Sequence, residues 1–133
     1  MTKKILLRKS SDLPCEEAIF TDMGIILDSG YELNDFRISF KSYGTLNNDK
    51  SNAILICHAL TADQFVTNNN PITGKEGWWS NMVGPGKSID TNKFYVICSN
   101  VLGGCIGSTG PKEIKSDTKS PYGIKFQTIT IKD

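Results

Sequence analysis

Two short runs in this chain are apolar at every position: Ala53-Ile54-Leu55-Ile56-Cys57 and Phe94-Tyr95-Val96-Ile97-Cys98. A strand covered on one face alternates apolar with polar residues. An unbroken apolar run is the pattern of a strand covered on both faces, as in a parallel sheet flanked by helices. The 36 residues from His58 to Lys93 suffice for a crossover between parallel neighbours. Phe36 to Tyr43 alternates instead, with Phe36, Ile38 and Phe40 set against Arg37, Ser39 and Lys41. That pattern predicts a half-buried antiparallel strand near a sheet edge. Upstream, Gly24 to Leu27, the pair Ser29-Gly30, and Tyr31 to Leu33 predict a short hairpin with a Gly-containing turn. The expected class is therefore α/β, an antiparallel β-hairpin leading into parallel strands.

The connecting segments carry less pattern. Residues 1–22 show little periodicity and are expected as a polar lead-in, with residues 23–133 forming the domain proper. Tyr43 to Asp49 is turn chemistry. In the crossover, Asn68-Asn69-Asn70-Pro71 and Gly74 mark loop, which predicts an irregular excursion that serves function. Thr130 and Asp133 stand in the Thr-x-x-Asp spacing of a capping box, the signature of a helix start. That helix would lie beyond Asp133, so an incomplete domain is expected.

Composition narrows the function classes. The chain has 133 residues, 38% hydrophobic and 22% charged, ordinary for a globular domain or part of one. Its 15 Lys+Arg against 14 Asp+Glu give a net charge of +1. That balance offers no electrostatic case for nucleic acid or an anionic membrane. Lys3, Lys4 and Arg8 enclose only Ile5 to Leu7, too short for a signal segment or a membrane span. A cytoplasmic location is expected. Cys15, Cys57, Cys98 and Cys105 match no common zinc spacing, and the single histidine, His58, adjoins Cys57. Neighbours on a strand point to opposite faces, so those two would not share a metal. Cys57 and Cys98 are expected as small buried hydrophobes, with no metal or disulfide role.

Three segments could carry chemistry. His58-Ala59-Leu60-Thr61 leaves the first buried strand and can expose backbone N–H groups at a crevice mouth. Acyl transfer passes through a tetrahedral oxyanion, and a fixed amide donor aimed at it contributes on the order of 10²–10³ in rate. The donor would be the N–H of Leu60 or of Ala59. His58 is read as a brace for this loop, since a general base needs a nucleophile within reach. No Gly-x-Ser-x-Gly occurs, and Ser108 lacks the strand-to-helix turn that raises a nucleophile. In the second segment, Gly77 to Phe94, Trp78 and Trp79 either divide between the core and the site entrance or both pack the crossover. Gly84-Pro85-Gly86-Lys87 lacks the spacing of a phosphate loop. The third is Asn100 to Pro111, whose Gly103, Gly104, Gly107 and Gly110 permit close ligand approach at the end of the second buried strand.

Together these segments resemble the homoserine O-acetyltransferases, a family of α/β-hydrolase-fold acyltransferases. The matching stretches are SYGTLN (Ser42 to Asn47), SNAILICHALTAD (Ser51 to Asp63), GWWSNMVGPGKSIDTNKFYVICSNVLGGCIGSTGP (Gly77 to Pro111) and PYGIKF (Pro121 to Phe126). The resemblance implies the N-terminal part of that fold. It implies transfer of an acetyl or succinyl group from acyl-coenzyme A to the hydroxyl of L-homoserine, in methionine biosynthesis, through an acyl-serine. The Ser-His-Asp triad of such enzymes is not among these residues. What carries over is the oxyanion-hole and specificity segment Ala59, Leu60, Thr61 and Ala62, with His58, Asn100, Gly103, Gly104, Ser108 and Thr109 as pocket lining. Acyl-coenzyme A is then a co-substrate, no cofactor is bound, and the full-length protein is a homodimer. The family usually carries Gly where this chain has Ala62, and Gln64 to Lys75 departs from its pattern. An ester hydrolase on the same fold, or a non-catalytic truncated product, are the competing readings.

Overall fold

The computed structural model describes residues 4–114 and 118–133; Lys3, of the basic start, lies outside them. Nine strands follow in order: β1 (Lys4–Lys9), β2 (Glu16–Thr21), β3 (Ile25–Ile26), β4 (Glu32–Leu33), β5 (Phe36–Tyr43), β6 (Ala53–Ile56), β7 (Val83–Gly84), β8 (Ile89–Asp90) and β9 (Tyr95–Ser99). A single 3₁₀ turn covers Gly123–Lys125. Five strands form one mixed sheet in the order β1-β2-β5-β9-β6. The two apolar runs are its parallel pair, with Ile54 beside Val96 and Ile56 beside Cys98. All other neighbours in the sheet are antiparallel. The hairpin also forms, Ile25 opposite Leu33 in a separate two-stranded ladder, with Gly30 at φ +80° in its turn.

The first 22 residues differ from the expected lead-in. They hold β1 and β2, paired from Lys4 opposite Thr21 to Lys9 opposite Glu16. Neither KILLRK nor EEAIFT alternates cleanly, so their strand state comes from pairing, β2 onto β5 and β1 onto β2, and not from local pattern. This also moves β5 from the expected edge to the middle of the sheet, third of five. Its polar face is partly covered as well, with Arg37 and Lys41 half-buried. Ser39 is fully enclosed, and its hydroxyl meets Cys15 Sγ at 3.1 Å and accepts from Gln64 Nε2 at 3.2 Å.

One face of the parallel pair carries the core. Tyr43, Ile56, Val66, Val83, Val96 and Cys98 pack together, with Ile54, Trp79, Met82 and Ile89 against them. The covering layer is the crossover, which is irregular as expected and holds no α-helix among the described residues. Val66 accepts the Trp79 N–H at 2.9 Å, and Asn68 accepts the Gly77 N–H at 2.7 Å. A side chain at Gly77 would press into the backbone of Val66 and Thr67, its Cβ about 2.5 Å from Thr67 N, so this close approach requires glycine. Tyr43 ties the layer to the sheet: its hydroxyl donates to Gln64 O and accepts the Val66 N–H at 3.0 Å. Burial pushes that phenol up to about 12, so it stays protonated and able to donate.

The opposite face is open, contrary to the expectation of strands covered on both sides. Ala53, Leu55 and Cys57 share that face, all are exposed, and Leu55 is 66% so. Cys57 is therefore a surface thiol and not a buried one, while Cys98 is fully buried as expected. Both outer strands, β1 and β6, present unpaired edges. Of the two tryptophans, Trp79 packs on the core. Trp78 stacks on it with centroids 5.7 Å apart and bonds through Nε1 to Asp63 O at 2.8 Å.

An open apolar face and two free edges predict a loosely held chain when these 133 residues are taken alone. The expected outcome is strong binding of the dye ANS and a broad thermal transition by near-UV circular dichroism. A sharp two-state melt without dye binding would contradict it.

Candidate active site

Parallel pairing aligns the carboxyl ends of β6 and β9, so the loops leaving them emerge side by side. In open α/β sheets this is where ligands bind. Here the two loops flank a crevice of about 1340 Å³. His58, Leu60, Thr61 and Ala62 line it from the β6 side, and Asn100 to Ile106 from the β9 side. Ile124, Ile129 and Ile131 of the C-terminal segment close it below, so its lining is mainly apolar.

The β6 loop is held at both ends. Beneath it, Cys98 Sγ donates to Asp63 O at 3.8 Å, and burial, then the nearby Asp63 charge, push that thiol up to about 12. Cys98 is thus a protonated structural group and no nucleophile. His58 Nδ1 lies 2.7 Å from Ala59 O, which makes Nδ1 the protonated nitrogen and His58 the expected brace. Ala59 O also accepts the Ala62 N–H at 2.9 Å, closing a turn. Ala62 therefore sits in a turn that a Cβ tolerates; among the described residues its φ is not positive. Beyond the turn, buried Asp63 accepts from Phe65 N–H and Asn70 Nδ2, both at 2.8 Å. Asp63 was passed over in the sequence; the signal available was an acidic side chain two residues before an amide it can cap.

Between these anchors Leu60 projects into solvent, 90% exposed, at the crevice. Among the described residues no hydrogen bond takes the N–H of Ala59 or of Leu60. Two fixed and unengaged amides beside an apolar crevice can stabilise an oxyanion.

The β9 loop is built on β5. Where β9 ends, residues 107–109 take its place beside β5: Arg37 N–H donates to Thr109 Oγ1, Thr109 N–H to Arg37 O, and Ser39 N–H to Ser108 Oγ, each at 2.9 Å. Ser108 Oγ in turn donates to Asn100 O at 2.7 Å. Ser108 and Thr109 are thus buried staples and do not line the crevice, which corrects their place among the pocket residues. Thr109 lines a second, smaller cavity of about 250 Å³ instead, with Arg37 and Glu113, which form an ion pair. Gly107, at φ +94°, passes so close to Ser39 that a Cβ would lie 2.6 Å from its hydroxyl. Neither Ala59 nor Trp78 is among the lining residues, so Ala59 neighbours the crevice without lining it. Lys87 turns back onto Ser80 O, so the Gly84 to Lys87 turn offers no phosphate cradle.

Thr130 and Asp133 complete the lower rim as a reciprocal cap: Thr130 N–H donates to Asp133 Oδ2 at 2.6 Å and Lys132 N–H to Thr130 Oγ1 at 3.2 Å. The other Asp133 oxygen accepts the Asp28 N–H at 2.6 Å, tying the rim to the β3–β4 hairpin. Among the described residues no His/Cys/Asp/Glu group of three or more could hold a metal ion. No helix among them is long and apolar enough to cross a membrane.

No family model matches the chain. It is 57% identical over 112 residues to a homoserine O-acetyltransferase of Mesorhizobium japonicum, covering 84% of this chain and 29% of that protein. Among solved structures it is similar to esterase E22, at 33% identity and a TM-score of 0.72, over 89% of this chain and 34% of that one. It is likewise similar to a homoserine O-acetyltransferase from Bacillus anthracis, at 29% identity and a TM-score of 0.69, over 97% and 32%. The chain thus spans about a third of the length of the relatives it matches.

Two outcomes follow from this geometry. A serine-directed fluorophosphonate should leave Ser108 unlabelled by peptide mass spectrometry, because both roles of its hydroxyl are taken; a labelled Ser108 would return it to the nucleophile position. Backbone hydrogen bonds from Thr130, then Asp28, hold the Asp133 carboxyl below its ordinary value. A depressed value means the cap contributes above the unfolded value and is lost as pH falls through the folded one. The Asp28 amide resonance should therefore shift in NMR spectra only at a pH below the usual carboxylate range.

Proposed function

This chain is a relative of the homoserine O-acetyltransferases and carries the N-terminal part of an α/β-hydrolase fold, and from that premise we propose that it supplies the oxyanion-binding half of an acyltransferase. The reaction proposed is transfer of an acetyl or succinyl group from acyl-coenzyme A to the hydroxyl of L-homoserine. The observation that carries it is the pair of unengaged amides at Ala59 and Leu60, held beside an apolar crevice where two parallel strands end. In this reading a serine supplied by further sequence attacks the thioester carbonyl. The carbonyl oxygen becomes an oxyanion and accepts from the Leu60 or Ala59 N–H. Its collapse expels the coenzyme A thiolate and leaves an acyl-serine. The substrate hydroxyl then attacks that ester, through a second oxyanion in the same cradle, and the serine leaves.

The proposal extends to the setting of such an enzyme: residues 23–133 as part of its catalytic domain, methionine biosynthesis in the cytoplasm, a homodimer, acyl-coenzyme A as co-substrate and no bound cofactor. The two substrates are small molecules; neither nucleic acid nor membrane is involved.

A second reading, ester hydrolysis, is favoured by the likeness to esterase E22. The two share every step up to the acyl-serine and differ in whether an alcohol or water takes the acyl group. The protein encoded by the whole reading frame decides between them. Acetyl-coenzyme A consumption should rise steeply on adding homoserine and yield its O-acetyl ester by mass spectrometry. Consumption unchanged by homoserine, with acetate as the product, would establish the hydrolase.

A further inference from the structure

Among the described residues four buried side-chain atoms lack a hydrogen-bond partner: Glu16 Oε2 and Gln64 Oε1 belong to residues away from the crevice, and two belong to residues that line it. The latter two are His58 Nε2 and Asn100 Oδ1, both shielded from water. They also come from equivalent places. The ladder ends with Ile56 of β6 beside Cys98 of β9, and His58 and Asn100 each follow two residues later, just past the carboxyl end of its strand.

The chemistry of both atoms is fixed by their surroundings. His58 Nδ1 holds the proton that it shares with Ala59 O, which leaves Nε2 as a lone pair. Asn100 is only 3% exposed, and its backbone is clamped on both sides: its N–H donates to Ser39 O and its carbonyl accepts from Ser108 Oγ, each at 2.7 Å. The bare α-carbon of Gly104 provides the space for the carboxamide oxygen, and any side chain there would collide with it. Both orphan atoms are therefore acceptors, and a buried acceptor without a donor is unfavourable. What satisfies two acceptors lining one crevice is a ligand that carries hydrogens on nitrogen or oxygen, such as an ammonium or a hydroxyl.

We propose that His58 Nε2 and Asn100 Oδ1 form a paired acceptor site that anchors the amino-alcohol substrate through its ammonium or hydroxyl group. This rests on the acyl-transfer reading above and deepens it, giving both loops a share in the substrate anchor while the β6 loop also supplies the oxyanion donors. His58 then serves two tasks with its two nitrogens: Nδ1–H shapes the oxyanion turn and Nε2 receives the substrate.

A route through an acyl-serine separates the two substrates kinetically, because kcat/KM for each reports its own half-reaction. In the protein encoded by the whole reading frame, Asn100→Leu should lower kcat/KM for homoserine about 10-fold or more, the worth of one buried hydrogen bond. It should leave kcat/KM for acetyl-coenzyme A unchanged. Asn100→Asp, which keeps the acceptor oxygen, should recover the homoserine value. With 4-hydroxybutyrate in place of homoserine, a vanished Asn100→Leu effect assigns the ammonium and a retained one the hydroxyl; both support the anchor. An equal fall in the two half-reactions, or no fall in either, would overturn it. Should Asn100→Leu fail to fold, the wild-type protein still answers: homoserine should move the His58 Nε2 resonance upfield in nitrogen-15 spectra, and an unmoved resonance at saturation rejects the site. That measurement detects binding without turnover, so it stands even where homoserine proves not to be acylated.

Discussion

The arrangement of this molecule depends on one pairing, the parallel ladder between β6 and β9. Four register pairs, from Ala53 beside Tyr95 to Ile56 beside Cys98, place two strand ends at one side of the sheet. Antiparallel neighbours would have sent the two loops to opposite ends. Parallel pairing also demands a long connection, and the connection becomes the layer that covers the core. Val66, Trp79 and Val83, all crossover residues, pack on Val96 and Ile56. The same segment thus closes the ladder topologically and stabilises it by burial of apolar area.

Polar groups inside the fold then fix the two loops in place. The clearest example is the group around β5, where Ser39 gathers Cys15, Gln64, Gly107 and the Ser108 hydroxyl into one cluster. Gln64 Nε2 also donates to Ile106 O at 3.0 Å, joining the crossover directly to the β9 loop. Each of these groups would cost about 1–3 kcal/mol if buried without its partner, so the loops cannot shift without breaking several at once. Apolar packing alone would tolerate such a shift. This is a physical reason for Ser and Gln at positions where a core might be expected to be hydrophobic.

Much of this was legible in the sequence, for reasons that can be traced to particular residues. The two continuous apolar runs gave the parallel pair, and Ser29-Gly30 gave the hairpin turn, because in both cases the signal is local. Thr130 and Asp133 were readable for the same reason, since a cap is made within four residues. The strands of residues 4–9 and 16–21 were not readable. β1 pairs only with β2, and β2 in turn with the distant β5, while Leu6 and Leu7 of β1 remain largely exposed, so no alternation betrays a buried face. Ser108 and Thr109 looked like site residues because the loop around them is rich in glycine. Those glycines in fact serve close packing against Ser39 and within the loop, where Gly110 lies against the Gly104 carbonyl. Composition shows that a loop turns tightly and cannot show which side of it faces a ligand. Asp63 was hidden as a brace, and Asn100, expected as pocket lining, was hidden only in its role as an orphan acceptor, since both roles depend on atoms brought from elsewhere in the chain.

Division of labour between the two loops follows from how each is held. A backbone amide can act as an oxyanion donor only if it is fixed and unspent, and helices or ladders normally spend it. The β6 loop meets both conditions by a particular device. Its structural hydrogen bonds are made by His58, Ala62 and Asp63, on either side of the amides at Ala59 and Leu60. The turn is therefore rigid while its tip keeps its donors. The β9 loop is arranged in the opposite sense. Its backbone at Asn100 is fully engaged with Ser39 and Ser108, and the group left over is a side-chain acceptor. One crevice is thereby furnished with backbone donors at the tip of the β6 loop and an acceptor side chain from each loop, His58 and Asn100. That polarity matches an acyl group that becomes negative at its oxygen and an attacking group that carries hydrogens, and it arises from two loops that a single parallel ladder holds next to each other.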